Sequence, residues 1–175
     1  VPGKLIIYTS HLNLDPVIYK GVNAITVVAR RDTPEVKTTN YHACLSASNK
    51  ANDANCFDAI LCDKEGNIYE GSKSNVFWVK EGKLTTRNKD VLPGTTRQTI
   101  IDKPPITVHY GILKKKDLFN IDELLFTNSG SGVVPVTGVN GKTIGNETVG
   151  PVTRELMINY IEWLQEEYGK TINKT

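Results

Sequence analysis

The stretch CDKEGNIYEGSKSNVFWVKEGKLTTR, residues 62–87, alternates short β-branched or aromatic segments with turn residues. Three of its segments suit strands: NIYEG at 67–71, NVFWVK at 75–80 and KLTTR at 83–87. Both CDKEGNIY and WVKEGKLT place Glu-Gly between apolar flanks, where glycine can take the positive φ of a tight hairpin turn. This stretch therefore predicts consecutive strands joined by hairpins.

The same spacing of short apolar runs continues on both sides of this stretch. We expect further strands at LIIYTS (5–10), NAITVVAR (23–30), AILCD (59–63), ITVHY (106–110) and ELLFTN (123–128). Helices are expected at YHACLSASNKAND (41–53), after Thr95, and at GPVTRELMINYIEWLQEEYGK (150–170), the last ending at Gly169. Many strands with few helices predict one α+β domain with a mixed or largely antiparallel sheet.

Composition limits the classes of partner. The 175 residues are 39% hydrophobic, enough for one core, and the 21 basic and 19 acidic residues are too balanced to indicate nucleic acid or an anionic membrane. The lysines at 114–116 are read as a solvated patch. No apolar run reaches membrane-spanning length, so a cytoplasmic protein is expected. Cys44, Cys56 and Cys62 lack the spacing of a zinc site or a disulfide framework, so we expect no metal and core-filling cysteines.

Two polar stretches carry residues suited to chemistry. In VKTTNY, residues 36–41, Lys37 follows a buried strand and precedes hydroxyls and a phenol. A lysine nucleophile must be neutral to attack a carbonyl, so burial or a neighbouring cation should lower its pKa. In EGSKSNVF, residues 70–77, a carboxylate, two hydroxyls and an amide precede apolar residues, and burying them requires hydrogen-bond partners. Taken alone, Lys37 is more simply explained as a surface lysine, and EGSKSNVF as a surface turn between hairpin strands.

Two further stretches suit an anion. VLPGTTRQTII, residues 91–101, opens a short helix whose unpaired N–H groups and hydroxyls would converge on one spot. FTNSGSGVVPV, residues 126–136, places small residues after a strand, where the backbone can approach a ligand closely. Its G-x-G lacks the third glycine and the βαβ context of a dinucleotide-binding fingerprint, so we reject that interpretation.

In this order the stretches resemble the class IV aminotransferase family, the fold-type IV enzymes that use pyridoxal 5′-phosphate (PLP). The resemblance runs from about Asn23 to Tyr168. It rests on K-T-x-N-Y, D-A-I-L-x-D-x-x-G, E-G-S-x-S-N-x-F, L-P-G-x-T-R, and T-N-S followed by V-x-P-V. It implies the fold of the family's large C-terminal domain, in which mixed or antiparallel sheets curl into a pseudo-barrel flanked by a few helices.

The resemblance also implies roles for individual residues. Lys37 would form the aldimine with the cofactor and then move a proton between the substrate Cα and the cofactor C4′. Tyr41 would hydrogen-bond the cofactor's phenolic oxygen, and Glu70 would pair with the pyridine nitrogen and keep it protonated. Ser74 and Asn75 would either support Glu70 or contact the cofactor directly.

The remaining implied residues bind the two anionic groups. Thr95 and Thr96, with their backbone amides at the helix start, would hold the cofactor phosphate together with Ser129. The turn formed by Asn128, Ser129 and Gly130 would lie near the substrate carboxylate.

The implied activity is transfer of an amino group between a branched-chain or D-amino acid and a 2-oxo acid by a homodimer. Two alternatives stay open: an aminodeoxychorismate lyase that releases pyruvate, and a catalytically silent fragment that only folds or self-associates. The chain departs from the family pattern in two ways. Residues 1–175 correspond to a single PLP-binding large domain without the N-terminal small domain, so we expect a piece of a longer protein. In addition, the helix that opens at Thr95 should stop early, before Pro104.

Overall fold

The structure, a computed structural model, describes residues 7–168. Its strands are β1 (Val22–Val28), β2 (Asp58–Cys62), β3 (Ile68–Gly71), β4 (Asn75–Lys80), β5 (Lys83–Thr86), β6 (Val108–Tyr110), β7 (Glu123–Asn128), β8 (Gly132–Val139) and β9 (Lys142–Thr143). Its α-helices are α1 (His42–Asp53), α2 (Thr95–Asp102) and α3 (Pro151–Tyr168), and short 3₁₀ helices cover Pro16–Lys20 and Lys115–Asn120. The expected helix end at Gly169 lies outside the described residues.

The nine strands within residues 7–168 form one mixed sheet. Its order is β3-β2-β1-β8-β7-β4-β5-β6, and β9 pairs with β8. The pairs β1–β2, β1–β8 and β5–β6 are parallel, whereas the other pairs are antiparallel. The α+β class and the mixed sheet predicted from the sequence are therefore confirmed.

The hairpin between β4 and β5 shows why the opening stretch folds as predicted. Lys80 pairs with Lys83, which leaves a two-residue turn of Glu81 and Gly82 with φ values of 50° and 72°. Positive φ at both central residues matches the right-handed twist of the flanking strands, and glycine adopts it without steric cost. The predicted Glu-Gly turn is confirmed at this position.

The sheet curls into a half-barrel around its main core. This core contains side chains from β1, β2, β3, β4, β7 and β8, among them Ile60, Ile68, Trp78, Phe126 and Val136. These six strands are successive neighbours in the sheet order, and the curl of the sheet lets their inward side chains pack into one cluster. The curl also brings β3 beside β4, the two strands that flank residues 72–74.

The helices cover the outside of the half-barrel. Phe77, Leu125 and their neighbours pack against Ile100 of α2 and Leu156 of α3. At the β1–β2 part of the sheet, Ala47 and Ala51 of α1 pack against these two strands, and the small side chains allow close contact. Helix α2 ends at Asp102, before Pro104, as the sequence predicted.

The structure corrects two predictions about strands. The predicted strand LIIYTS is wrong over its described residues 7–10, which are irregular and exposed. The sequence also missed β8, a central strand between β1 and β7. Pro135 lies within β8 opposite Leu125, and a proline normally restricts a strand to a sheet edge because it donates no ladder hydrogen bond.

Three expectations concern the cysteines, the lysine cluster, and membrane or metal binding. Cys44, Cys56 and Cys62 are free thiols, of which Cys44 and Cys62 are buried in the apolar clusters. Lysines 114–116 are exposed. Over residues 7–168, no helix has the length and apolarity to cross a membrane, and no group of side chains is arranged to hold a metal ion.

Candidate active site

One cavity of about 580 Å³ brings the candidate residues together. Its wall comes from the loop between β1 and α1, the end of β3, the start of α2 and the end of β7. Nine of the ten predicted site residues line it: Lys37, Tyr41, Glu70, Ser74, Asn75, Thr95, Thr96, Asn128 and Ser129. Gly130 is not in the wall, and its N–H donates to Asn128 Oδ1 at 2.9 Å. The volume suits a small-molecule ligand.

Lys37 lies in the loop that leads from β1 to α1. Its side chain is exposed in the described part of the chain, so the burial expected for a lysine nucleophile is not provided by residues 7–168. Tyr41 immediately precedes α1, and the Arg31 guanidinium carbon lies 5.3 Å from the centre of its ring, within cation–π range. Arg31 also pairs with the carboxyl of Glu70, so it links the loop that carries Lys37 to the buried acid of the cavity.

Glu70 is the buried acid of the cavity, with 2% of its surface exposed. Its Oε1 lies 3.1 Å from Arg31 Nε, and its Oε2 accepts from Leu92 N at 3.0 Å and Asn75 Nδ2 at 3.5 Å. Burial nevertheless raises the pKa of Glu70 to about 7, against the lowering effects of the Leu92 amide and of Arg31. A cationic ligand atom placed against this carboxyl would favour its charged form.

Asp58, at the start of β2, is an organising residue; it opens the motif D-A-I-L-x-D-x-x-G, but the sequence analysis assigned it no role. It is fully buried, and its oxygens accept hydrogen bonds from the hydroxyls of Ser72 and Ser74 and from the backbone N–H of Ala59. Ser74 thus supports the turn after Glu70 through Asp58, whereas the amide of Asn75 contacts Glu70 itself. A charged residue opening a buried apolar run was the available signal.

The start of α2 offers free N–H groups to the cavity. Gly94 is the N-cap residue, and no side chain in the described part of the chain caps the helix. The first N–H groups of a helix have no partner within the helix, so those of Thr95 and Thr96 can bind an anion. Thr96 is 2% exposed, whereas Thr95 is exposed.

The turn after β7 is held by its own asparagine. Asn128 Oδ1 accepts from Gly130 N at 2.9 Å and from Ser131 N at 2.7 Å. These two bonds fix the turn that carries Ser129 in the cavity wall.

Polar atoms without partners test whether a phosphate-bearing cofactor suits the cavity. Among the described residues, the buried side-chain atoms that lack any polar partner are Arg97 Nε and Thr127 Oγ1, since Arg31 Nε is paired with Glu70 Oε1 at 3.1 Å. Both residues line this cavity. Native proteins seldom leave such atoms unpaired, so their convergence indicates a polar ligand.

The charge of the wall agrees with this interpretation. Its basic residues are Arg31, Lys37, Lys73 and Arg97, and its acidic residues are Glu35 and Glu70 alone. The excess of positive charge suits an anionic group, and the buried acid suits a pyridine nitrogen. The residues present therefore fit PLP.

Comparison with known proteins agrees with the fold and the motifs. The model of the family "amino-transferase class IV" matches residues 2–139. A probable branched-chain-amino-acid aminotransferase of Thermotoga maritima is 36% identical over 168 residues, which cover 90% of this chain and 60% of that protein. D-alanine aminotransferase of Bacillus licheniformis is 30% identical over 158 residues, which cover 87% of this chain and 56% of that protein.

A solved structure shows the same architecture. The T.th. branched-chain amino acid aminotransferase, complexed with N-(5′-phosphopyridoxyl)-L-glutamate, superimposes with a TM-score of 0.76 at 28% identity, over 86% of this chain and 54% of that chain. The protein described here therefore belongs to the class IV aminotransferase family. The chain spans about 60% of the length of the Thermotoga maritima relative.

Proposed function

We propose that this chain is the large, cofactor-binding domain of a PLP-dependent transaminase that acts on an amino acid of the branched-chain or D-amino acid type and a 2-oxo acid. The observation that carries the proposal is the single cavity that contains Lys37, the buried Glu70 and the uncapped start of α2. These features supply an amine, an acid for the pyridine nitrogen and a phosphate site. The N-terminal small domain of the family is proposed to lie outside this chain.

When bound, PLP supplies an aldehyde for bonding to amines and a conjugated ring that takes up the electron pair left at the substrate Cα. Glu70 holds a proton at the pyridine nitrogen, which keeps the ring an effective electron acceptor. Arg31 and Leu92 N orient the Glu70 carboxyl for this role through contacts of 3.1 and 3.0 Å.

Lys37 is proposed to attach the cofactor and, once a substrate amine displaces it, to take the proton from the substrate Cα. Tyr41 lies four residues beyond Lys37 and lines the same cavity, where its hydroxyl can bind the cofactor's phenolic oxygen. Because Lys37 is on a loop, its exposed amine can swing between attachment and proton transfer.

The other residues are proposed to bind anionic groups. Thr95, Thr96 and Ser129 hold the phosphate with hydroxyls and backbone N–H groups. Asn128 keeps its Nδ2 free of protein partners among the described residues, and with Ser129 it is proposed to bind the substrate carboxylate. Gly130 is proposed only to shape the turn, because its N–H donates to Asn128 Oδ1. Amino transfer is favoured over pyruvate release because the relatives reported above are named as aminotransferases.

The proposal is tested by trapping PLP on the protein with borohydride and mapping the modified peptide by mass spectrometry. Lys73 gives a matched control, because it is a second exposed lysine in the same wall. We expect modification on Lys37, its loss in Lys37→Ala and its retention in Lys73→Ala. Trapping on surface lysines without preference, in a folded protein at saturating PLP, would contradict the proposal.

We further propose a cytoplasmic homodimer. Three free cysteines are typical of a reducing compartment. Exposed apolar side chains, including Leu12 beside Gly130 and Leu45 on α1, favour self-association. Analytical ultracentrifugation should show a dimer at micromolar concentration, and a clean monomer would contradict this part of the proposal; immunoblots of fractionated cells test the location.

A further inference from the structure

A tyrosine on α3 contacts the candidate phosphate site from outside the cavity. Tyr160 places its hydroxyl 3.2 Å from Thr96 Oγ1. Thr96 is buried and lines the cavity at the start of α2, whereas Tyr160 is partly buried and is not part of the cavity wall. The hydroxyl of Tyr160 therefore meets the cavity wall through Thr96.

The ring of Tyr160 is held by packing against the backbone. It lies on Gly132, where φ is +68° and an added Cβ would come within 2.6 Å of Tyr160 Cε1. Gly132 follows the Asn128–Ser131 turn directly. This close approach fixes the ring independently of its hydroxyl, so removing the hydroxyl leaves the packing in place.

The effect of the contact depends on which of the two hydroxyls donates the hydrogen bond. The Thr96 hydroxyl has one proton to donate and lone pairs to accept. If Thr96 donated to Tyr160, it would have nothing left to donate to an anion. If Tyr160 donates instead, the Thr96 proton is free to point into the cavity, and polarisation along the chain strengthens that donor.

We propose that Tyr160 is a positioning residue of the phosphate site: its hydroxyl donates to Thr96 Oγ1 and thereby directs the Thr96 proton toward a phosphate group in the cavity. Identifying that group as the phosphate of PLP rests on the proposed function. The anion site itself stands on the geometry of α2 and on the unpartnered Thr127 Oγ1 in the same wall.

The test measures the dissociation constant of inorganic phosphate by calorimetry for the wild type, Tyr160→Phe, Thr96→Val and the double variant. Inorganic phosphate reports on the site whether or not Lys37 reacts. We expect Tyr160→Phe to weaken phosphate binding roughly three- to tenfold, the range for one hydrogen bond. In the Thr96→Val background the same change should have less than about a twofold effect, because Tyr160 acts through Thr96.

Tyr69→Phe is the matched control, since its hydroxyl donates to Asp63 Oδ2 at 3.0 Å and does not line the cavity. It should leave phosphate affinity unchanged. Thermal unfolding of each variant verifies that the fold is intact, and Tyr160→Phe retains the ring seated on Gly132. PLP and pyridoxal, which lacks the phosphate, are compared in parallel: Tyr160→Phe should weaken binding of PLP only.

The outcomes separate this inference from the proposed function. Equal phosphate affinity in wild type and Tyr160→Phe, an equal loss in the Thr96→Val background, or no phosphate binding by the wild type would each overturn the role of Tyr160. A Tyr160-dependent phosphate site together with unselective borohydride trapping would instead support the inference and contradict the proposed attachment of PLP to Lys37.

Discussion

Replacing Glu70 by glutamine should change how the stability of the ligand-free protein depends on pH. The carboxyl is 2% exposed, and burial raises its pKa from the ordinary 4.5 to about 7. The folded protein therefore holds this proton through a pH range in which the unfolded chain has lost it. The stabilisation is fully present below pH 4.5 and is lost as the pH rises through 7.

The magnitude follows from the difference of about 2.5 between the pKa of Glu70 in the folded protein and its ordinary value. At 1.36 kcal/mol per unit, ionisation of Glu70 costs the folded state about 3 kcal/mol by neutral pH. Glutamine has nearly the shape of the protonated carboxyl and does not titrate. We expect Glu70→Gln to match the wild type near pH 4.5 and to exceed it in free energy of unfolding by about 3 kcal/mol at pH 8.

Urea unfolding of both proteins at pH 5, 6, 7 and 8 measures this difference. Glu35→Gln, which changes an exposed carboxyl of the same wall, controls for the altered net charge. Saturating PLP should shrink the advantage of Glu70→Gln, because a protonated pyridine nitrogen would stabilise the charged carboxyl. A difference that stays flat from pH 5 to 8, or a variant less stable than the wild type at pH 8, would refute the reasoning.

Three further substitutions test the packing and the polar supports by urea unfolding. Asp58→Ala should lower the free energy of unfolding by at least about 2 kcal/mol, because the buried hydroxyls of Ser72 and Ser74 lose their acceptor. The variant should also bind PLP more weakly, and an unchanged PLP affinity would show that Glu70 does not depend on Asp58. Phe126→Ala, in the main core, should cost about 3 to 5 kcal/mol, and a loss below 1 kcal/mol would contradict the half-barrel core. Glu123→Gln should lower the free energy of unfolding by about 1 kcal/mol, because the carboxylate accepts from Val152 N and Thr153 N at the start of α3. A variant as stable as the wild type would show that Glu123 does not stabilise the helix start.

Local signals predicted much of the fold. The Glu-Gly turn at 81–82 and the limits of β4 and β7 follow from turn chemistry and β-branched runs, which depend only on neighbouring residues. The missed strand β8 has a proline at its centre, and only its partners on both sides show that it is internal. The Asn140-Gly141 turn that follows it, with φ values of 51° and 73°, is a strong hairpin signal that the sequence analysis did not use.

The candidate site likewise combines residues that local motifs predict with residues that only the folded structure reveals. The motifs named Lys37 and Glu70, and the fold brings them into one cavity. They did not reveal Arg31, whose contact with Glu70 joins the loop after β1 to the end of β3, two strands that β2 separates in the sheet. Tyr160 had no predicted role in the site, since nothing local to α3 indicates that its hydroxyl meets Thr96.

The central claim is that this chain supports amino transfer. The most direct measurement loads the protein with PLP, adds one amino acid without any acceptor, and quantifies the cofactor form and the organic acid released. We expect pyridoxamine 5′-phosphate and the matching 2-oxo acid in equal amounts with wild-type protein, and neither with Lys37→Ala. Folded, PLP-loaded protein that yields no pyridoxamine 5′-phosphate with any branched-chain or D-amino acid would contradict the claim.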